Sequence, residues 1–317
     1  MASLIILSLA VFIRSFILAG SAGGEEAVAY TAMPFYNLIF GAIHTTPILN
    51  RIIALLLLWV LCYMLNRIAN RDVLLDSRSL MPGIFFLLFS MSLPETHLVT
   101  PALIGSIFYL FCFAILFEVH DKRPDTFTVF SAAMVLAFGS MFYLKLIWFI
   151  PLIWISLWTM RSVTIRELLY HVIAYVLLGL FLFTWYWVVL EDGAGFVTLL
   201  RENLSFEGSF IPHHYSAYIY YGYLLFILAV ASIYMVNRFQ SMKTVVQNIY
   251  QVMFYMFLAG ILFFLFIARY EPSSLVFIGF PVAYILSRYF HRKKNHWTHE
   301  MALWIVIGLL VFVQWMA

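Results

Sequence analysis

The sequence predicts an all-α protein that crosses a membrane many times. Three observations predict it. Hydrophobic residues make up 64% of the 317 positions and charged residues only 10%, with a mean hydropathy of +0.97. Apolar runs of about 20 residues recur along the whole length, as spanning helices require. Finally, the basic residues alternate from one connection to the next, as they do when successive connections face opposite sides of a bilayer.

Eleven spans are expected, over 3–21, 48–67, 80–93, 101–119, 126–141, 144–160, 167–190, 216–237, 250–268, 273–290 and 300–317. The third, fifth and sixth are short for a bilayer, so they must tilt or span only part of it. The N-terminal segment lacks a basic leader, and its small residues make a poor cleavage site. It is expected to be retained as the first span. Cys62 and Cys112 lie inside apolar runs and read as buried small hydrophobes, not as a disulfide or a metal pair.

Connections after the even-numbered spans carry thirteen of the eighteen Lys and Arg residues, among them Arg67, Arg71, Arg78, Lys122, Arg238 and Arg288. The other side holds Arg51, Lys145, Arg201 and Arg269, with Arg14 inside the first span. This predicts a cytoplasmic N-terminus and an external C-terminus. The basic connections are short and read as topology signals only. On the outer side sit Glu25, Glu26, Glu95, Glu191, Asp192, Glu202, Glu207 and Glu271. Two outer segments exceed a simple turn, 22–47 and 191–215, and long connections between tightly joined helices are where function concentrates. Three parts follow: a module over 1–190 that includes the outer loop 22–47, a loop over 191–215, and terminal helices over 216–317. Segment 27–40 is expected to lie along the interface as an amphipathic helix broken at Pro34.

Composition excludes a sizeable soluble domain. No Gly-rich phosphate loop, nucleotide fingerprint or Cys/His metal spacing is present, which leaves membrane lipids as the expected partners and excludes nucleic acid. Each candidate residue has two readings. Glu25 and Glu26 at a membrane boundary read as a general base, or as solvated loop acids. Arg14 is costly inside a span unless paired, so it supports the acids or forms a structural ion pair. Lys145, in a tight turn at the outer interface, suits a lipid phosphate or simply ends a helix. Arg269 suits an anionic headgroup or is screened by Glu271. His213 and His214 are adjacent and diverge, poor geometry for one metal. Tyr215, Tyr218, Tyr220, Tyr221 and Tyr223 read as an interface belt, and Pro94–His97 as a turn.

Taken together, Arg14, Gly23-Gly24, Glu25-Glu26, Ala27, Ala29 and Tyr30 resemble the start of the GT-C superfamily of glycosyltransferases. Those enzymes use polyprenyl-phosphate-linked sugars; the likeness is to the protein mannosyltransferase and aminoarabinose transferase type. The segment 132–154, with Lys145 and Pro151, looks similar to a later part of that family, as do Arg269-Tyr270, Pro281 and Ala283. The likeness covers about 1–160 and 265–290. It departs where the family has Asp-Glu, in the short chain, and in PETHLVTP after the third span. The resemblance implies a bacterial inner-membrane transferase with Glu25 or Glu26 as catalytic base, Lys145, Arg269 and Arg201 as phosphate ligands, and Arg14 and Tyr30 in support. It implies a lipid-linked donor; the residues themselves offer no metal-ligand set and no resident cofactor motif. The departures suit an alternative, a non-catalytic subunit that scaffolds a secretion, motility or envelope-assembly complex. A transporter ranks third, since no repeated halves are seen. The chain is also similar to small polytopic membrane proteins of Bacteroidota, a likeness that implies no function.

Overall fold

The computed structural model describes residues 12, 13, 17, 33–41, 43, 46–72, 74, 75, 78–90, 92–118, 126–160, 163–204, 215–291 and 296–316. The described residues form helices and connecting turns, with no strand among them. In chain order the α-helices are α1 (Pro34–Phe40), α2 (Pro47–Arg71), α3 (Met81–Ser90), α4 (Pro101–Glu118), α5 (Thr126–Ser140) and α6 (Ile150–Met160), followed by α7 (Ile165–Thr184), α8 (Gly193–Leu204), α9 (Tyr215–Arg238), α10 (Thr244–Leu262), α11 (Leu275–Phe290) and α12 (His296–Met316). A 3₁₀ segment, Leu144–Phe149, leads into α6, and π turns Trp185–Val189 and Phe263–Ile267 end α7 and α10.

Among the described residues six helical stretches can cross a membrane by length and composition: Pro47–Arg71, Pro101–Glu118, Ile165–Val189, Ala217–Ser241, Thr244–Ile267 and Pro272–Phe290. Four more are apolar but shorter: Met81–Ser90, Phe127–Ser140, Leu144–Met160 and Glu300–Val313. The chain is thus an all-α integral membrane protein. The expected first span falls largely outside the described residues, although Phe12, Ile13 and Ile17 are helical.

Local chemistry sets the boundaries. Prolines open α1, α2 and α4, since a proline at the first helical position loses no intrahelical bond. Pro34 therefore starts a helix where a break was expected. The Thr164 N–H donates to Glu167 Oε2 at 3.1 Å and caps α7. The segment 191–215, expected as a loop, carries α8 instead. Gly195 N donates to Asp192 Oδ1 at 2.8 Å at its start, and Phe196, Leu199 and Leu200 pack inward on one face.

At the centre lies α11, almost wholly buried, packed on α3, α4, α9 and α10. Gly279 permits the closest approach: a Cβ there would fall on Ser90 Oγ and lie 3.1 Å from the Phe86 ring. Phe86 stacks on Phe280 at 5.1 Å, and Tyr109 of α4 joins the same aromatic layer. Outside this core, α5 meets α7 through Ala133, Ala137 and Ala174, small residues that let two helices approach in a membrane.

Within this bundle α3 has only ten residues, roughly 15 Å, about half the hydrocarbon thickness. Beyond it the chain runs irregularly from Ser92 to Thr100 inside the protein. Backbone of that kind survives at membrane depth only where its polar groups find partners. Tyrosines and an asparagine supply partners here and at the end of α3. Tyr220 Oη donates to Leu88 O, Tyr221 Oη lies 2.6 Å from Ser92 Oγ, and Tyr36 Oη donates to Val99 O at 2.6 Å. Asn50 Oδ1 accepts from Val99 N at 2.7 Å. Tyr220 and Tyr221 are thus packing residues that hold α9 on α3, whereas Tyr218 is exposed. The belt expected from the tyrosine run is split between two jobs. Cys62 and Cys112 are buried and free, as their apolar surroundings predict.

Candidate functional site

Two sets of connections gather at opposite ends of α2 and α4. At the N-terminal ends lie Met33–Phe40, Pro94–Thr100, the turn 141–149 and the turn 268–274. At the C-terminal ends Arg71 bonds Glu118 at 2.5 Å, and Arg288 Nη1 donates to Leu74 O at 3.0 Å. With 25 residues, α2 separates the two ends by roughly 37 Å. The segments expected to face outward therefore share one end of the bundle, where the candidate site lies.

Lys145 sits in the 3₁₀ segment after α5, half-buried, with no carboxylate within ion-pair distance among the described residues. The turn before it is held by Phe142 N and Tyr143 N, both bonded to Gly139 O at 3.0 Å. Tyr143 is buried, stacked on Phe277 at 6.1 Å and edge-on to Phe263 at 6.3 Å. Its hydroxyl finds no hydrogen-bond partner among the described residues. Burial pushes this phenol well above its ordinary range, and the Glu271 carboxylate nearby adds to the effect.

Glu271 and Arg269 occupy the turn after α10. The π turn closes with Ala268 N on Phe263 O at 2.8 Å, after which Arg269 and Tyr270 adopt φ of 46° and 65°. A left-handed conformation at two successive non-glycine residues is unusual and marks local strain. It leaves the Arg269 guanidinium exposed. The Glu271 carboxylate accepts from Ser273 Oγ, and Glu271 O accepts from Ser274 Oγ at 2.6 Å. Among the described residues Arg269 forms no ion pair within contact distance, with Glu271 or any other carboxylate.

Arg201 is exposed in the last turn of α8. The opposite, apolar side of α8 packs beside the Lys145 segment, in a cluster of Met33, Met141, Leu182 and Phe196 with Leu144 at its edge. The structure thus brings together the elements that carry Lys145, Arg201 and Arg269. These three side chains make no hydrogen bond with one another or with any described carboxylate.

Glu25, Glu26, Arg14 and Tyr30 lie outside the described residues, as do His213 and His214. In sequence the two acids fall between Phe12 and Met33. Phe12 stacks on His97 at 4.1 Å, and Met33 packs on Met141 and Phe196, so both of these packed residues are at this end. Of the expected interfacial helix only α1 is described. It buries Tyr36 and leaves Leu38 and Ile39 exposed.

Sequence reasoning underrated Pro94–His97. It is a 3₁₀ turn with Thr96 and His97 buried, packed against the turn that holds Glu271. The signal available was polar: Asn50 and Tyr36 need partners inside an apolar protein, and the irregular segment supplies them. Among the described residues no three of His, Cys, Asp and Glu gather closely enough for a metal ion. No family model, no curated protein and no solved structure matches the chain.

Proposed function

We propose that this end of the bundle transfers a glycosyl or related group from a polyprenyl-phosphate donor, in the manner of a GT-C enzyme on the outer face of a bacterial inner membrane. One observation carries the reading: Lys145, half-buried and without a carboxylate partner among the described residues, is held on elements that also gather Arg269 and Arg201. Cations so placed suit the phosphate that leaves with the lipid. Glu25 or Glu26 takes the proton of the acceptor hydroxyl as its oxygen attacks the anomeric carbon. The bond from that carbon to the phosphate oxygen breaks, and Lys145, Arg269 and Arg201 neutralise the charge that develops there. Arg14 and Tyr30 support the acids. The N-terminus lies in the cytoplasm, the C-terminus in the periplasm, and eleven spans connect them.

The test replaces Glu25 and Glu26 by Gln, one at a time, and Lys145 by Ala. The expected result is normal expression and folding with at least roughly tenfold lower turnover at one of the acids, well within the usual worth of a general base. Wild-type function in the cell for all three variants overturns the enzyme. It leaves the second reading, a non-catalytic subunit of an envelope-assembly complex. A specific feature favours that alternative: Tyr143, Phe149, Phe263 and Phe277 pack ring against ring behind Lys145, filling the interior beneath the site.

A further inference from the structure

At the other end of the bundle the last turns of α2 present Tyr63, Asn66, Arg67, Asn70 and Arg71. Their spacing, i, i+3, i+4, i+7 and i+8, puts all five on one helix face. The connection into α3 is laced onto this face. Ser79 N donates to Asn70 Oδ1 at 3.2 Å and Gly83 N to Asn66 Oδ1 at 3.0 Å. Between them opens a cavity of about 400 Å³, lined by these residues and Arg78. That volume lies in the range of small-ligand sites.

The chemistry of the lining is one-sided. Arg71 is held in place by Asp72 at 2.7 Å, Glu118 at 2.5 Å and Ala114 O at 2.9 Å, and forms a fixed wall. Arg67 and Arg78 are exposed and meet no carboxylate within ion-pair distance among the described residues. Asn66 is 3% exposed. Its oxygen is committed to Gly83, which fixes the orientation of the amide, and its Nδ2 has no acceptor among the described residues.

We propose that this cavity binds a phosphate group, carried by the headgroup of an anionic phospholipid. Phosphate supplies the negative charge that Arg67 and Arg78 do not meet among the described residues. Arg67 grips it from the helix and Arg78 from the facing connection, beside the fixed wall of Arg71. Tyr63, exposed and a turn nearer the middle of α2, lies along the path of the glycerol and acyl chains. Basic pockets between helices at the Lys- and Arg-rich end of a membrane protein are where such headgroups bind. The site is independent of the transferase reading, which concerns the opposite end.

The experiment uses the full chain purified in detergent and in phosphatidylcholine nanodiscs. Phosphatidylglycerol and phosphatidylcholine are titrated, and bound lipid is read by native mass spectrometry. The wild type is expected to retain phosphatidylglycerol in preference to phosphatidylcholine. The double variant Arg67→Gln/Arg78→Gln is expected to lose that retention by roughly tenfold or more. Arg238→Gln removes an exposed charge at the end of α9, outside the cavity, and should change nothing. A second arm adds millimolar inorganic phosphate to protein in phosphatidylcholine nanodiscs and follows thermal unfolding. A rise for the wild type that the double variant lacks identifies free phosphate as a source; a response to phosphatidylglycerol alone identifies the lipid. Equal retention by wild type and double variant, with no response to inorganic phosphate, overturns the site. So does an Arg238→Gln loss as large as that of the double variant, which would assign binding to diffuse surface charge.

Discussion

Two helices of this protein invert the rule by which burial is read from hydropathy. The stretch Ile165–Val189, built on α7, has a mean hydropathy of 2.1 and buries only 11% of its apolar window inside the protein. The stretch Pro272–Phe290, built on α11, has a mean hydropathy of 1.3 and buries 89%. In water the more apolar helix would be the inner one. Here the solvent around the bundle is hydrocarbon, which accepts Val176, Leu177, Leu180 and Phe181 without penalty. What draws α11 inward is fit and hydrogen bonding: Gly279 against Ser90, Phe280 on Phe86, and Tyr284 Oη on Leu65 O at 3.0 Å. Helix association in a membrane rests on such packing, since there is little hydrophobic gain in leaving lipid.

The sharpest way to break this comparison uses two glycines. Gly279→Leu in α11 drives a branched side chain into Ser90 and Phe86 and is expected to cost about 3 kcal/mol or more, seen as loss of folded protein in detergent. Gly179→Leu in α7 meets open space, with no atom within 4 Å of its Cβ position, and should express and melt like wild type. If both variants fold equally well, the close contact of α3 and α11 is wrong.

A smaller effect separates two tyrosines. Tyr284→Phe leaves the hydrogen bond to Leu65 O unmade and should cost about 1 kcal/mol in reversible unfolding. Tyr175 of α7 has a buried hydroxyl with no partner among the described residues, so Tyr175→Phe should be neutral or slightly stabilising. An equal loss at both sites would mean that Tyr175 also bonds a group the comparison treats as absent.

The smallest change expected is at Gly179→Ala. Adding a methyl to a helix interior with room around it should raise stability by a few tenths to about 1 kcal/mol, through helix propensity alone. A measurable loss would place a neighbour against that face, as a second copy or a partner subunit would.

Much of the candidate site was legible one residue at a time. Lys145 in a turn too short for a loop, and Arg269 beside Glu271 and Pro272, could be assigned to one side from the alternation of basic residues, and contacts among the described segments gather them at one end. Tyr143 was not legible, because a tyrosine between two apolar runs looks like any interfacial aromatic until Phe263, Phe277 and Glu271 are found around it. Likewise, α8 was taken for a loop. Its Asp192 cap and its apolar positions at 196, 199 and 200 form a helical signal, but a short one set among glycines and charges. The basic cavity escaped for a different reason. In the sequence Arg67, Arg71 and Arg78 read as topology signals, and that reading hid the cavity they line. The spacing of Asn66, Arg67, Asn70 and Arg71 already placed them on one face.

The sequence by itself determined that this chain is helical and lives in a membrane, because apolar runs have no other stable home once every backbone group must be bonded internally. Its basic residues also predict which connections share a side, because charge is costly to move across a bilayer. Only the tertiary structure decided which helices lie at the centre, since in hydrocarbon the sorting depends on shape and hydrogen bonding, neither of which has a local signature. It decided too that the interrupted helix α3 and the segment after it are tolerable, by bringing Tyr36, Asn50, Tyr220 and Tyr221 to polar groups far away in the chain. Those pairings join residues 49 to 132 positions apart, and separations of that size leave no periodicity for a sequence to show.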